Sequence, residues 1–84
     1  MKFRKKPVVI EAIQFTGDNW KEIGEFCGLK AEIAKLNRVD ILLIKSLEGD
    51  HRANANDWII KGVQGEFYAC KPDIFKQTYD ELTQ

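Results

Sequence analysis

Asp40-Ile-Leu-Leu-Ile-Lys-Ser-Leu47, His51-Arg-Ala-Asn-Ala55, Trp58-Ile-Ile-Lys-Gly-Val63 and Glu66-Phe-Tyr-Ala-Cys70 follow one another with only Glu48-Gly-Asp50, Asn56-Asp57 and Gln64-Gly65 between them. The first, third and fourth runs are rich in β-branched, aromatic or other apolar residues. Each break holds Gly, Asn or Asp, residues that accept turn conformations. Strands at this spacing predict an antiparallel meander, with Gln64-Gly65 as a two-residue hairpin turn. The fold class follows from these four runs, and the flanks are read around them.

Upstream, Pro7-Val-Val-Ile-Glu-Ala-Ile-Gln-Phe15 is a further strand candidate. Val9, Glu11, Ile13 and Phe15 share one face and Val8, Ile10 and Ala12 the other, so both faces look covered, as in a central strand. Asp18 then offers an N-cap. Trp20, Ile23, Gly24 and Cys27 recur at i, i+3, i+4 and i+7, the stripe of a short amphipathic helix that Gly28 ends. Residues 31–36 alternate, although their propensities also suit a helix. The turn-like Asn37-Arg38, leading straight into the next strand, favours a hairpin. Downstream, Pro72 and Asp73 open a final helix whose Phe75, Tyr79 and Leu82 would dock on the sheet. The order β-α-β-β-β-β-β-α describes an α+β domain with two short helices and an antiparallel, strongly curled sheet of about five to six strands, or a half-open barrel.

The chain has 84 residues, enough for one small domain. Its 44% apolar and 31% charged residues are ordinary for a folded chain. The 13 basic and 13 acidic residues balance, but unevenly: Lys2, Arg4, Lys5 and Lys6 give residues 1–6 a charge of +4 and leave the remainder at −4. An acidic body argues against a nucleic-acid footprint spread over the whole domain. The apolar run Pro7–Ile10 is stopped by Glu11, too short for a signal-peptide core, and no run has the length of a membrane span. With two cysteines, Cys27 and Cys70, and no glycosylation sequon, the expectation is a cytoplasmic protein with reduced thiols and no membrane association.

Two segments carry a resemblance. Arg4-Lys-Lys-Pro-Val-Val-Ile-Glu-Ala-Ile-Gln-Phe-Thr-Gly-Asp18 is one; Asp57-Trp-Ile-Ile-Lys-Gly-Val-Gln-Gly-Glu-Phe-Tyr-Ala-Cys-Lys-Pro-Asp-Ile-Phe75, continued by Thr78-Tyr79, is the other. Together with the Leu47-Glu-Gly-Asp50 turn they resemble a group of small uncharacterised proteins encoded by bacteriophages and prophages. In that pattern a Pro-Gly pair commonly precedes the Asp-Trp and a Pro the Cys; here Ala55-Asn56 and Ala69 stand in those places. The resemblance implies a bacterial host cell and no particular reaction.

Few residues suggest chemistry. Ser46 would face the single His51 if Glu48-Gly49 were a two-residue turn, but that register sets Lys45 against Arg52, and no anion hole accompanies the pair. Cys27 and Cys70 sit on separate elements beside one histidine, so no metal or other cofactor is expected. Glu48 and Asp50 are too few to cage calcium. Gly62-Val-Gln-Gly65 looks like a clamp loop, but it falls between strands, where a hairpin turn belongs.

The unusual segment is 57–73, where aromatics sit beside cations. Trp58, Lys61, Tyr68 and Lys71 are the candidate binding residues, with aromatic contact area and lysines that select anionic partners. The expectation is a non-enzymatic protein that binds a protein partner, with a homodimer possible. One alternative is nucleic-acid binding through Lys2, Arg4, Lys5 and Lys6. Another is sequestration of an anionic small molecule by the 57–73 hairpin.

Overall fold

The computed structural model describes residues 1–4, 7–46 and 49–82. Its elements run β1 (Glu11–Gln14), α1 (Trp20–Cys27), a single 3₁₀ turn (Gly28–Lys30), β2 (Ala31–Leu36), β3 (Val39–Ser46), β4 (Gly49–Ala53), β5 (Trp58–Lys61), β6 (Phe67–Cys70) and α2 (Pro72–Thr78). The α+β class, the order of elements and the antiparallel pairing agree with the reading of the sequence. Residues 31–36 are a strand, joined to β3 through Asn37 and Arg38, which both take positive φ, 52° and 67°.

The strands divide into two three-stranded sheets, β1-β5-β6 and β2-β3-β4, and among the described residues no ladder joins them or closes a barrel. The expected meander therefore breaks at Asn56-Asp57. There the backbone turns on itself, with Asp57 N–H donating to Asn54 O and Asp57 Oδ2 accepting from Asn54 N–H. The same corner is tied to the end of β1, because Phe15 N–H donates to Asp57 O and Asn56 N–H to Phe15 O. β5 is thus delivered to β1, with Ile13 opposite Ile59, instead of folding back on β4.

β1 is shorter than the alternation suggested and lies at a sheet edge rather than in the centre. Val8 and Val9, expected on covered faces, are 49% and 75% exposed. The cap of α1 is Asn19 and not Asp18. Asn19 clamps strand to helix: its Oδ1 accepts from Thr16 N–H, and its Nδ2 donates to Gln14 O and Glu22 Oε1. α2 ends at Thr78, where Tyr79 turns extended, so Leu82 leaves the stripe and is 72% exposed.

The core lies between the sheets. Ile23 and Cys27 of α1, Leu42 and Ile44 of β3, Ala53, Ile59, Phe67 and the strand-end Phe15 fill it. Trp20 meets Phe15 edge-on at 5.0 Å, and Phe26 meets Phe67 at 5.6 Å. Such aromatic pairs add about 0.5–1.5 kcal/mol each beyond their buried area, a large contribution for a core this small.

Candidate functional site

The turn joining β5 to β6 is longer than two residues, and this settles which aromatics reach the surface. Gly62 N–H donates to Glu66 O and Gly65 N–H to Gly62 O, with Val63-Gln64-Gly65 as the loop and Gly65 at φ +82°. Glu66 folds its carboxylate over Gly62, where any Cβ would collide with it, and accepts from Gln64 N–H. Lys61 then stands opposite Phe67, Ile60 opposite Tyr68 and Trp58 opposite Cys70. A two-residue turn at Gln64-Gly65 would slip this pairing by one residue and turn β6 over relative to β5.

With side chains alternating across a strand, Ile59, Lys61, Phe67 and Ala69 share one face of the hairpin, and Trp58, Ile60, Tyr68 and Cys70 share the other. Phe67 enters the core. The second face is layered by α2: Phe75 stacks on Trp58 with ring centroids 4.3 Å apart and planes 6° from parallel. Tyr79 follows at 5.0 Å from Phe75, and its hydroxyl lies 3.5 Å from that of Tyr68. Burial, then the hydrogen bond and charge of Tyr79, then the charges of Glu66 and Cys70 push the Tyr68 phenol up to about 12, so it stays protonated.

This aromatic layer forms the floor of a groove of about 1230 Å³. One wall is Pro7–Ala12, with the exposed Val8 and Val9; the other is Thr78–Leu82. The charges on its rim are Glu66, Asp80 and Glu81, while Glu11 stands opposite Lys61 on the other face of the sheet, and no lysine or arginine lines the groove among the described residues. An aromatic floor within a ring of carboxylates attracts a cation twice, through the ring faces and through the carboxylates.

The four binding candidates are therefore not one patch. Trp58 and Tyr68 are half-buried in the groove. Lys61 projects from the opposite face, and Lys71, exposed between β6 and α2, lies outside the groove. Lys71 and Tyr68 border a second, smaller cleft of about 400 Å³ between β4 and β6, shared with His51, Arg52, Asn54 and Asp57. The i, i+4 spacing of Phe75 and Tyr79 marks them as packing residues, but not as parts of a site. The carboxylate rim has no sequence signature, because its residues are scattered along the chain.

The other candidates are placed as follows. Lys2 and Arg4 are exposed, while Lys5 and Lys6 lie outside the described residues, as do Leu47 and Glu48. Ser46 pairs with Gly49 and donates to its carbonyl at 2.7 Å, and His51 stands opposite Ile44, so serine and histidine are out of register. Lys45 faces Asp50 instead of Arg52 and bridges Glu32 at 3.0 Å, which removes the like-charge clash. Both thiols are free. Burial pushes the Cys27 thiol up to about 11; Cys70 is raised by burial and by Asp57 and Asp73. Among the described residues no group of three or more His, Cys, Asp or Glu could hold a metal ion, and no helix is long and apolar enough to cross a membrane. No family model, curated protein or solved structure matches the chain.

Proposed function

We propose that this chain is a non-enzymatic binding module that holds a cationic, aromatic-bearing segment of a protein partner in the groove over Trp58, Tyr68, Phe75 and Tyr79. In keeping with the resemblance of its two end segments, we assign it to the accessory proteins of a phage or prophage, acting in the cytoplasm of the bacterial host. One observation carries the reading: the stacked aromatic floor is rimmed by Glu66, Asp80 and Glu81. This reverses the partner charge expected from the sequence, because the lysines of the 57–73 segment point elsewhere.

The test is a titration with two peptides of equal length, one alternating arginine with aromatics and one alternating glutamate with aromatics. The basic peptide binds, its affinity falls as salt screens the rim, and Trp58→Ala weakens it by roughly five- to thirtyfold, the range of a desolvated cation–π contact. Equal affinity for both peptides, or preference for the acidic one, would overturn the reading.

A second reading rests on the smaller cleft. Arg52, Lys71 and His51 surround it, with Asp57 as the opposing carboxylate. Such a site suits a small anion, the ligand class that the sequence suggests for the hairpin.

A further inference from the structure

We propose that the groove's occupant is the basic arm of a second copy of this chain, so that two copies exchange arms in a reciprocal dimer. The inference rests on the groove reading above and names its partner. The arm is Lys2-Phe-Arg-Lys-Lys6, an aromatic residue flanked on both sides by cations. The groove is the complement of that pattern, an aromatic floor flanked by carboxylates. The charges are opposite in sign, four cations in the arm against Glu66, Asp80 and Glu81 on the rim.

The start of the arm is presented to solvent. Met1 and Phe3 are 110% and 88% exposed, a poor resting state for a phenylalanine. The arm also begins at the groove wall. Pro7 is part of that wall. Extended, a six-residue segment reaches about 20 Å.

A twofold axis satisfies both copies: each gives one arm and receives one, the contact closes, and no open chain of subunits results. Phe3 becomes the anchor on Trp58 and Phe75, while Lys2 and Arg4 meet the rim. The contact is small and largely electrostatic, so it is a concentration-dependent dimer weakened by salt.

Sedimentation velocity over a concentration series tests this on the full chain. Wild type is expected to dimerise, with Phe3→Ser raising the dissociation constant on the order of thirtyfold, the scale of an interface hot spot. Because Trp58→Ala removes packing as well, the groove is also disabled by Asp80→Lys with Glu81→Lys, two exposed positions. The decisive sample mixes Phe3→Ser protein with the Asp80→Lys/Glu81→Lys protein. One intact arm then meets one intact groove, and a heterodimer forms at concentrations where each variant alone stays monomeric.

A wild type that stays monomeric overturns the proposal, and so does a dimer indifferent to Phe3→Ser. If the monomeric chain still binds the basic peptide, the groove reading stands and only the self-pairing fails; if it binds neither, both fail. Loss of oligonucleotide binding on deleting residues 2–6, with the oligomeric state unchanged, would assign the arm to nucleic acid instead.

Discussion

Replacing Phe67 and Tyr68 in turn by alanine measures the one-residue register on which the groove depends. The neighbours differ by one position and point to opposite faces. Phe67 is 8% exposed and meets Phe26 edge-on at 5.6 Å in the core; Tyr68 is half-buried beside Tyr79. A buried phenylalanine truncated to alanine costs about 3–5 kcal/mol through lost transfer energy and the cavity left behind. Tyr68 surrenders roughly half that area and one long hydroxyl contact, a cost of about 1–2 kcal/mol. The whole domain is stable by roughly 4–13 kcal/mol at the usual value per residue, so Phe67→Ala removes a large fraction of it. Urea unfolding followed by circular dichroism gives both numbers, and Phe67→Leu supplies a milder member of the series should the alanine variant fail to fold. The expected order is Phe67→Ala well above Tyr68→Ala. Equal costs, or a larger one for Tyr68, would mean that the hairpin closes on Gln64-Gly65 and that Tyr68 faces the core, and the groove as described would not exist.

Other outcomes follow from the same geometry. Gly24 lies mid-helix with open space where a Cβ would stand, so Gly24→Ala should stabilise by about 0.5–1 kcal/mol, whereas Gly65→Ala, at φ +82°, should cost about 1–2 kcal/mol; thermal melts separate the two signs. The Cys27 thiol is held at about 11 against an ordinary 9.0, so the unfolded chain loses its proton first and stability should fall as pH rises through that window. The Tyr68 phenol, at about 12 against 10.0, extends the loss upward, and Cys27→Ala should remove the lower part, as unfolding at graded alkaline pH would reveal. In the native chain a maleimide should label half-buried Cys70 before Cys27, with the two rates becoming equal only after unfolding. Inorganic phosphate should move the amide signals of Arg52 and Lys71, and lose that effect in Arg52→Ala; shifts confined to the groove would remove the case for an anion site in the cleft.

Local features are legible in the sequence because local chemistry decides them. The stripe Trp20, Ile23, Cys27 marks α1, and Ile23 and Cys27 are buried where the period puts them. Asn37-Arg38 marks the β2–β3 turn, and Pro72 the start of α2. What failed was non-local. Alternation in 58–63 says that a strand forms but not that its partner is β1, a choice made by the bonds between Phe15 and the Asn54–Asp57 corner. The register of the last hairpin failed for a different reason. Gly62-Val-Gln-Gly-Glu66 admits two loop lengths, and Glu66 folded over Gly62 is a side-chain effect that a turn dipeptide does not encode. The grouping of the candidate residues depends on both. Trp58 and Tyr68 come together across the strands, Lys61 is turned away together with its partner Glu11, and the acidic rim is assembled from Glu66 beside the hairpin loop and the chain after α2.

Two indoles report on the groove without perturbing it. Trp20 packs on Phe15 at the core and Trp58 lies on the groove floor, so each senses a different part of the molecule. In a ¹⁵N-labelled sample titrated with the arginine–aromatic peptide, the Trp58 indole N–H and the amides of residues 8–12 and 78–82 should shift together while the Trp20 indole stays in place. A Trp58 indole that does not move, with shifts gathered on β2–β4 instead, would contradict the assignment of the groove as the working surface.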